Sequence, residues 1–179
     1  NGAKIEKVSS LCGAVKFSET TIKGVSTDKC NERTDYYVGG VVGGSGGGSV
    51  TEVWSGFDIG VSLVYSDNHY SYVNSTASDY ISGDANENYY DVFAGGIVGV
   101  CKSGTAIKDC YTNALVSASG NDSQSTNNSS PISRFIFGQE VLAGGIAGSC
   151  ENSSSNTISS CAVASPVVSA ICYQQAFDN

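Results

Sequence analysis

Three times in this chain a pair of adjacent glycines leads into two aliphatic residues and a further glycine. The copies are Val38-Gly39-Gly40-Val41-Val42-Gly43, Ala94-Gly95-Gly96-Ile97-Val98-Gly99 and Ala143-Gly144-Gly145-Ile146-Ala147-Gly148. Each is followed by a short polar stretch and a second shared phrase: Val50-Thr51-Glu52-Val53-Trp54, Ile107-Lys108-Asp109-Cys110-Tyr111 and Ile158-Ser159-Ser160-Cys161-Ala162. Repeats at periods of roughly 20 to 50 residues belong to chains in which each unit completes the core of its neighbour. Such a chain builds a surface more readily than a catalytic pocket. A partial copy opens the sequence. Ile5-Glu6-Lys7-Val8 matches Ile107-Lys108-Asp109-Cys110, and Leu11-Cys12-Gly13-Ala14-Val15 resembles a downstream strand. The anchors Val8, Val53, Cys110 and Cys161 are 45, 57 and 51 residues apart. The inserts therefore vary while the anchors persist. The expected organisation is a single repeat-built domain over 1–179, with a partial repeat at 1–37 and repeats at about 38–93, 94–142 and 143–179.

Strand signals dominate. Val41-Val42, Ile97-Val98, Gly60–Tyr65, Ala114–Ala118 and Pro166–Ala170 are short, β-branched and bounded by Gly, Ser or Asn. No stretch sustains a 3.6-residue period with caps. The paired glycines permit positive φ and close backbone approach, so a side chain there would block packing against the next unit. Gly43–Ser49 looks like a flexible linker, but the repeat alignment places it at the turn between the two phrases. Two inserts interrupt the pattern. Residues 66–93 are rich in Tyr, Asp and Asn, and the Ser/Asn/Gly tract at 119–133 is expected to be a mobile, solvated loop. The predicted fold class is all-β, built from repeats as a β-solenoid or β-helix with long polar loop insertions.

Charged residues are only 15% of the chain, the net charge is -8 and the pI about 4.4. That balance disfavours nucleic acid and anionic membranes as partners. No run approaches the ~18 apolar residues of a membrane span, so membrane insertion is not expected. No signal peptide is visible and Met is absent even from position 1, which is expected of a processed or excised chain. Ala170-Ile171-Cys172 reads as the opening of a further strand.

Seven cysteines are present. Cys101 and Cys150 each lie six residues after the first glycine of their phrase, where the first copy has Ser45. Cys110 and Cys161 occupy the anchor, where the first copy has Val53. Two copies thus carry both cysteines and one carries neither. This predicts Cys101–Cys110 and Cys150–Cys161 disulfides, each closing a short turn in an oxidising compartment. The competing metal reading lacks paired C-x-x-C knuckles and a nearby histidine. Cys12–Cys30 is a third candidate bridge, which leaves Cys172 to pair elsewhere. N-glycosylation sequons begin at Asn74, Asn121, Asn127, Asn128 and Asn152, all in expected loops. Secretion, or display at a cell surface, follows from both features.

Aligned in this way, the repeats resemble the GLUG motif of secreted and surface adhesin-like proteins. That motif runs from a Gly-Gly phrase through a short polar turn to I-x-x-C-Y and a V-S strand. The closest copy is Ala94–Gly99 with Ile107-Lys108-Asp109-Cys110-Tyr111-Thr112-Asn113 through Val116-Ser117. The third copy has Ala162 in place of the aromatic, and the first has Val53 for Cys and Trp54 for Tyr. The resemblance spans about half the chain, at roughly 38–64, 94–118 and 143–170. It implies β-rich extracellular scaffolding and carries over no catalytic residue.

Signals for chemistry are sparse. His69 is the only histidine, and although Asp67 is near it, no nucleophile elbow accompanies them. The H-E-x-x-H, P-loop and dinucleotide signatures are missing. No cofactor is expected, with calcium the one candidate. Asp84, Asn86, Asn88 and Asp91 begin like a calcium loop, but Tyr89 replaces its glycine and Gly95 its final glutamate. Carboxylate pairs for glycoside hydrolysis could be drawn from Glu52, Asp58, Asp84 or Glu87, with nothing to select one. Tyr70, Tyr72, Tyr80, Tyr89 and Tyr90 form a cluster suited to a glycan or protein contact, or to the packed face of an inserted hairpin. Taken together the residues predict a non-enzymatic extracellular structural or adhesive glycoprotein, in one form the subunit of a head-to-tail surface filament. Its partners would be other copies, surface proteins or glycans. A carbohydrate-binding module, contacting ligand through Tyr89 and Tyr90, and a polysaccharide-cleaving solenoid enzyme are the alternatives.

Overall fold

The computed structural model describes residues 3–23, 33–67, 89–122, 140–151 and 155–174. Among these residues there is no helix, and sixteen β-strands carry the fold. In chain order they begin β1 (Ala3–Glu6), β2 (Ser9–Lys23), β3 (Arg33–Gly39), β4 (Val42–Ser45), β5 (Gly48–Thr51), β6 (Trp54–Asp67), β7 (Tyr89–Gly95) and β8 (Val98–Cys101). They continue with β9 (Thr105–Lys108), β10 (Tyr111–Thr112), β11 (Val116–Asp122), β12 (Glu140–Gly144), β13 (Ala147–Cys150), β14 (Thr157–Ser159), β15 (Ala162–Val163) and β16 (Val168–Gln174).

The strands pair into four ladders, each taking equivalent segments from successive repeats. Ladder A is β1-β5-β9-β14. Ladder B runs from β2 to the long strand β6, then to β10 and β11, then to β15 and β16. Ladder C is β3-β7-β12 and ladder D is β4-β8-β13. Every pairing is parallel. The opening residues of the second phrases are Cα partners: Ile5 with Val50, Val50 with Ile107, and Ile107 with Ile158. Gly39, Gly95 and Gly144 align in the same way.

The glycine phrases are explained by space. A Cβ on Gly95 would press on the Val98 carbonyl and come within 2.7 Å of the Gly148 amide nitrogen. Gly39 and Gly144 are in the same position against Val42 and Ala147. The second glycine of each pair makes room for a ladder B residue: Gly40 for Ser55, Gly96 for Thr112 and Gly145 for Val163. Positive φ, which the sequence also suggested for these glycines, occurs elsewhere. It recurs just before the anchor, at Lys7 (56°), Glu52 (54°), Asp109 (53°) and Ser160 (53°). Each repeat thus turns from ladder A to ladder B through one left-handed residue. That conformation costs an L-residue about 1 kcal/mol.

Two apolar cores result. Between ladders B and C lie Ile59, Val61, Leu63, Val92, Val116 and Val141. Between ladders D and A lie Val50, Val53, Ile97, Val98, Ile107, Cys101 and Cys110. The phrase Gly43–Ser49 is no linker, since β4 and β5 bracket the turn at Gly46–Gly47 and both pair with the next repeat.

Several expectations need correction. The strands expected from Ala114 and Pro166 begin at Val116 and Val168. The tract expected to be a loop from 119 starts as strand, because β11 continues to Asp122 between β6 and β16. Asn121 therefore sits in a paired strand rather than a loop.

Candidate functional site

Equivalent residues of one ladder share chemistry but not cover. In ladder A, Ile107 is 0% exposed and Ile158 46%. In ladder B, Val116 is 0% exposed and its register partner Val168 42%. Val163, Val167 and Ile171 are exposed beside them. The repeat pattern places an apolar side chain at each position, but within the described residues no strand follows β14, β15 and β16. Among the described residues the result is an apolar sheet edge, the arrangement that favours strand addition.

The hydrogen bonds define what such an addition must match. The left-handed residue donates forward: Lys7 N–H to the Thr51 carbonyl (3.2 Å), Glu52 to Lys108 (3.1 Å) and Asp109 to Ser159 (3.1 Å). The residue after each anchor donates back: Trp54 to Val8 (2.9 Å), Tyr111 to Val53 (2.8 Å) and Ala162 to Cys110 (2.9 Å). Continued by one step, the pattern calls for a carbonyl at Ser160 N–H and a donor at the Cys161 carbonyl. Glu6 and Ser9 hold those two positions at the start of the chain.

The same parallel register governs the cysteines. Cys101 is in register with Cys150, and Tyr111 with Ala162, which sets Cys110 beside Cys161. Cys101, Cys110, Cys150 and Cys161 are all thiols in this structure, joined neither as the predicted Cys101–Cys110 and Cys150–Cys161 pairs nor in any other way. In a parallel in-register ladder the neighbour of a side chain is its counterpart one repeat away, strands being about 4.8 Å apart. Burial, together with a hydrogen bond to the Cys150 thiol, pushes the Cys101 pKa up to about 12. Burial also raises that of Cys110, with Cys161 adding to the shift. The Cys110 thiol donates to the Lys108 carbonyl at 3.1 Å, and Cys161 repeats this with Ser159 at 3.2 Å. Cys101 and Cys110 are buried, Cys161 is half-buried and Cys150 is exposed. Cys12 is an exposed thiol at the irregularity between Ser10 and Gly13. Cys172 is exposed on β16, in register with Gly120. Cys30 lies outside the described residues.

Of the calcium candidates, Asp84, Asn86 and Asn88 lie outside the described residues. Asp91 is buried in β7, where its carboxylate accepts a hydrogen bond from the Glu140 backbone N–H at 2.9 Å. Ladder C aligns it with Asp35 and Glu140, neither of which the sequence had singled out. Tyr89 and Tyr90 belong to β7, in register with Arg33 and Thr34. Asp58 accepts the Leu115 N–H at 2.9 Å, and Glu52 is one of the left-handed turn residues, so both have structural roles. His69, Glu87, Asn74, Asn127, Asn128, Asn152 and the tyrosines at 70, 72 and 80 lie outside the described residues. An exposed aromatic pair that sequence reasoning missed is Trp54 and Tyr111, register partners with ring centroids 6.1 Å apart. Their shared position after the anchor was the available signal.

No helix among the described residues is long and apolar enough to cross a membrane. No family model, curated protein or solved structure matches this chain.

Proposed function

We propose that this chain is an extracellular structural or adhesive glycoprotein whose ladders wind as a parallel β-solenoid, with copies joined head to tail into a filament. The observation that carries the reading is the apolar edge at β14–β16, together with a chain start that has the matching pattern. A second copy placing β1 on β14 and β2 on β15 and β16 would bring its Glu6 carbonyl to Ser160 N–H. Its Ser9 N–H would meet the Cys161 carbonyl, repeating the bonds inside the molecule. Ile158 would then gain the cover that Ile107 has. β14 contributes Thr, Ile and Ser and no charge, so nothing on it repels Lys4, Glu6 or Lys7. The GLUG resemblance agrees with a role outside the cell, and the sequons with glycan decoration.

Sedimentation velocity against concentration tests this reading. The wild-type chain is expected to form growing assemblies, and Ile158→Asp to remain a single 18.4 kDa species with unchanged circular dichroism. A wild type that stays monomeric at every concentration would refute head-to-tail assembly.

A second reading, a carbohydrate-binding surface, has one specific support. Trp54 and Tyr111 present adjacent aromatic rings to solvent, and such rings suit sugar faces. Loss of binding on a glycan array in Trp54→Ala, with assembly intact, would favour it.

A further inference from the structure

Two cysteine pairs sit in register columns whose other members are small or aliphatic residues. In ladder D the column is Ser45, Cys101 and Cys150. The anchors beside ladder B are Val8, Val53, Cys110 and Cys161. Only the last two repeats carry the thiols, and they carry them at both places. These are also the repeats that end in the uncovered edge. Among the described residues the strands of the last repeat pair on one side only, so a covalent tie to the repeat beneath would stabilise it most.

The geometry permits that tie. In-register strands place equivalent Cα atoms about 4.8 Å apart, within the 4.4–6.8 Å span of disulfides. We propose that Cys101–Cys150 and Cys110–Cys161 form two parallel disulfides that staple the third repeat to the second. The co-reactant is a disulfide, either of a low-molecular-weight thiol such as oxidised glutathione or of an exchange protein. A thiolate of exposed Cys150 or half-buried Cys161 attacks it, forming a mixed disulfide and expelling one thiolate. The buried partner, Cys101 or Cys110, loses its proton and attacks the protein sulfur, forming the intramolecular S–S bond and expelling the second thiolate. Two protein thiols are oxidised and one external disulfide is reduced to two thiols for each bond formed.

The test uses the purified chain equilibrated with oxidised and reduced glutathione, so that pairing is read whatever compartment the protein occupies and whether or not it assembles. Remaining thiols are alkylated and the protein is cut with trypsin without reduction. Sequence places cleavage after Arg33, Lys102, Lys108 and Arg134, with no Lys or Arg from 135 to 179. The expected product joins Thr34–Lys102, Asp109–Arg134 and Phe135–Asn179 in one species. Further cleavage after Glu151 should leave Cys150 with the Lys102 peptide and Cys161 with the Asp109 peptide. A Cys172→Ser background removes the one other thiol of Phe135–Asn179. Under within-repeat pairing, Phe135–Asn179 would keep an internal Cys150–Cys161 bond and join neither of the other peptides. That result, or alkylation of all four cysteines, would overturn the proposal. As a second readout, the stapled form should melt roughly 10 °C above the reduced form. Double replacement of Cys101 and Cys110 by Ala should abolish that difference.

Discussion

Truncating the same column residue at two levels separates burial from position. Ile107→Ala removes three carbons from a site that is 0% exposed, between Val50 and Ile158. At about 0.8 kcal/mol per carbon the transfer loss is about 2.4 kcal/mol, and the cavity raises the cost to about 3–4 kcal/mol. Ile158→Ala removes the same atoms from a side chain that is 46% exposed, so about 1.3 kcal/mol is lost and no closed cavity forms. The gap of about 2 kcal/mol should appear as a lower urea midpoint for Ile107→Ala at equal slope, measured on dilute, unassembled protein. In concentrated protein the order should change in kind: Ile158→Ala should weaken assembly, whereas Ile107→Ala acts on folding. Equal costs for the two variants in the dilute protein would refute the reasoning, because the edge would then be covered from within the chain.

Other outcomes follow from single positions. Gly95→Ala should destabilise by about 3 kcal/mol or more, because its Cβ meets backbone on both sides, whereas Gly46→Ala should be near neutral with nothing within 4 Å; urea titration checks both. Glu52→Asn should stabilise by about 0.5 kcal/mol by relieving a left-handed conformation that Asn tolerates better, a gain that thermal melts should resolve. The Cys101 thiol, raised from its ordinary value of 9.0 to about 12, ionises in the unfolded chain before it does so in the folded one. The stability it confers on the reduced protein is therefore full below pH 9 and is lost as pH rises toward 12. Urea midpoints should show a steeper alkaline decline in the reduced protein than in a disulfide form.

Much of this architecture was legible because the repeat phrases carry register as well as composition. Ile5, Val50, Ile107 and Ile158 align by sequence and lie side by side in space. The glycine pairs were legible as sites of close backbone approach. The left-handed turn residues were not, since Lys7, Glu52, Asp109 and Ser160 share no side-chain chemistry and none is Gly or Asn. The cysteine pairing was not settled by the sequence for a related reason. Spacing along the chain measures the turn from Cys101 to Cys110, but parallel pairing makes the nearest equivalent atom that of the next repeat. Asn121 was misread because β11 extends into a Ser/Asn/Gly tract, where pairing on both sides by β6 and β16 overrides weak strand propensity. The exposed edge could not be read from composition at all. Ile107 and Ile158 are the same residue in the same phrase and differ only in what lies beyond them.

The axial rise of the assembly, measured by electron microscopy of concentrated, natively folded protein, tests head-to-tail docking most directly. Ladders A and B hold four levels of strand per copy, so β1 and β2 docking on β14–β16 predicts filaments with a rise of about 19 Å per subunit, four strand spacings of about 4.8 Å. Dispersed 18.4 kDa particles at every concentration, or filaments whose rise bears no relation to four strand spacings, would contradict it.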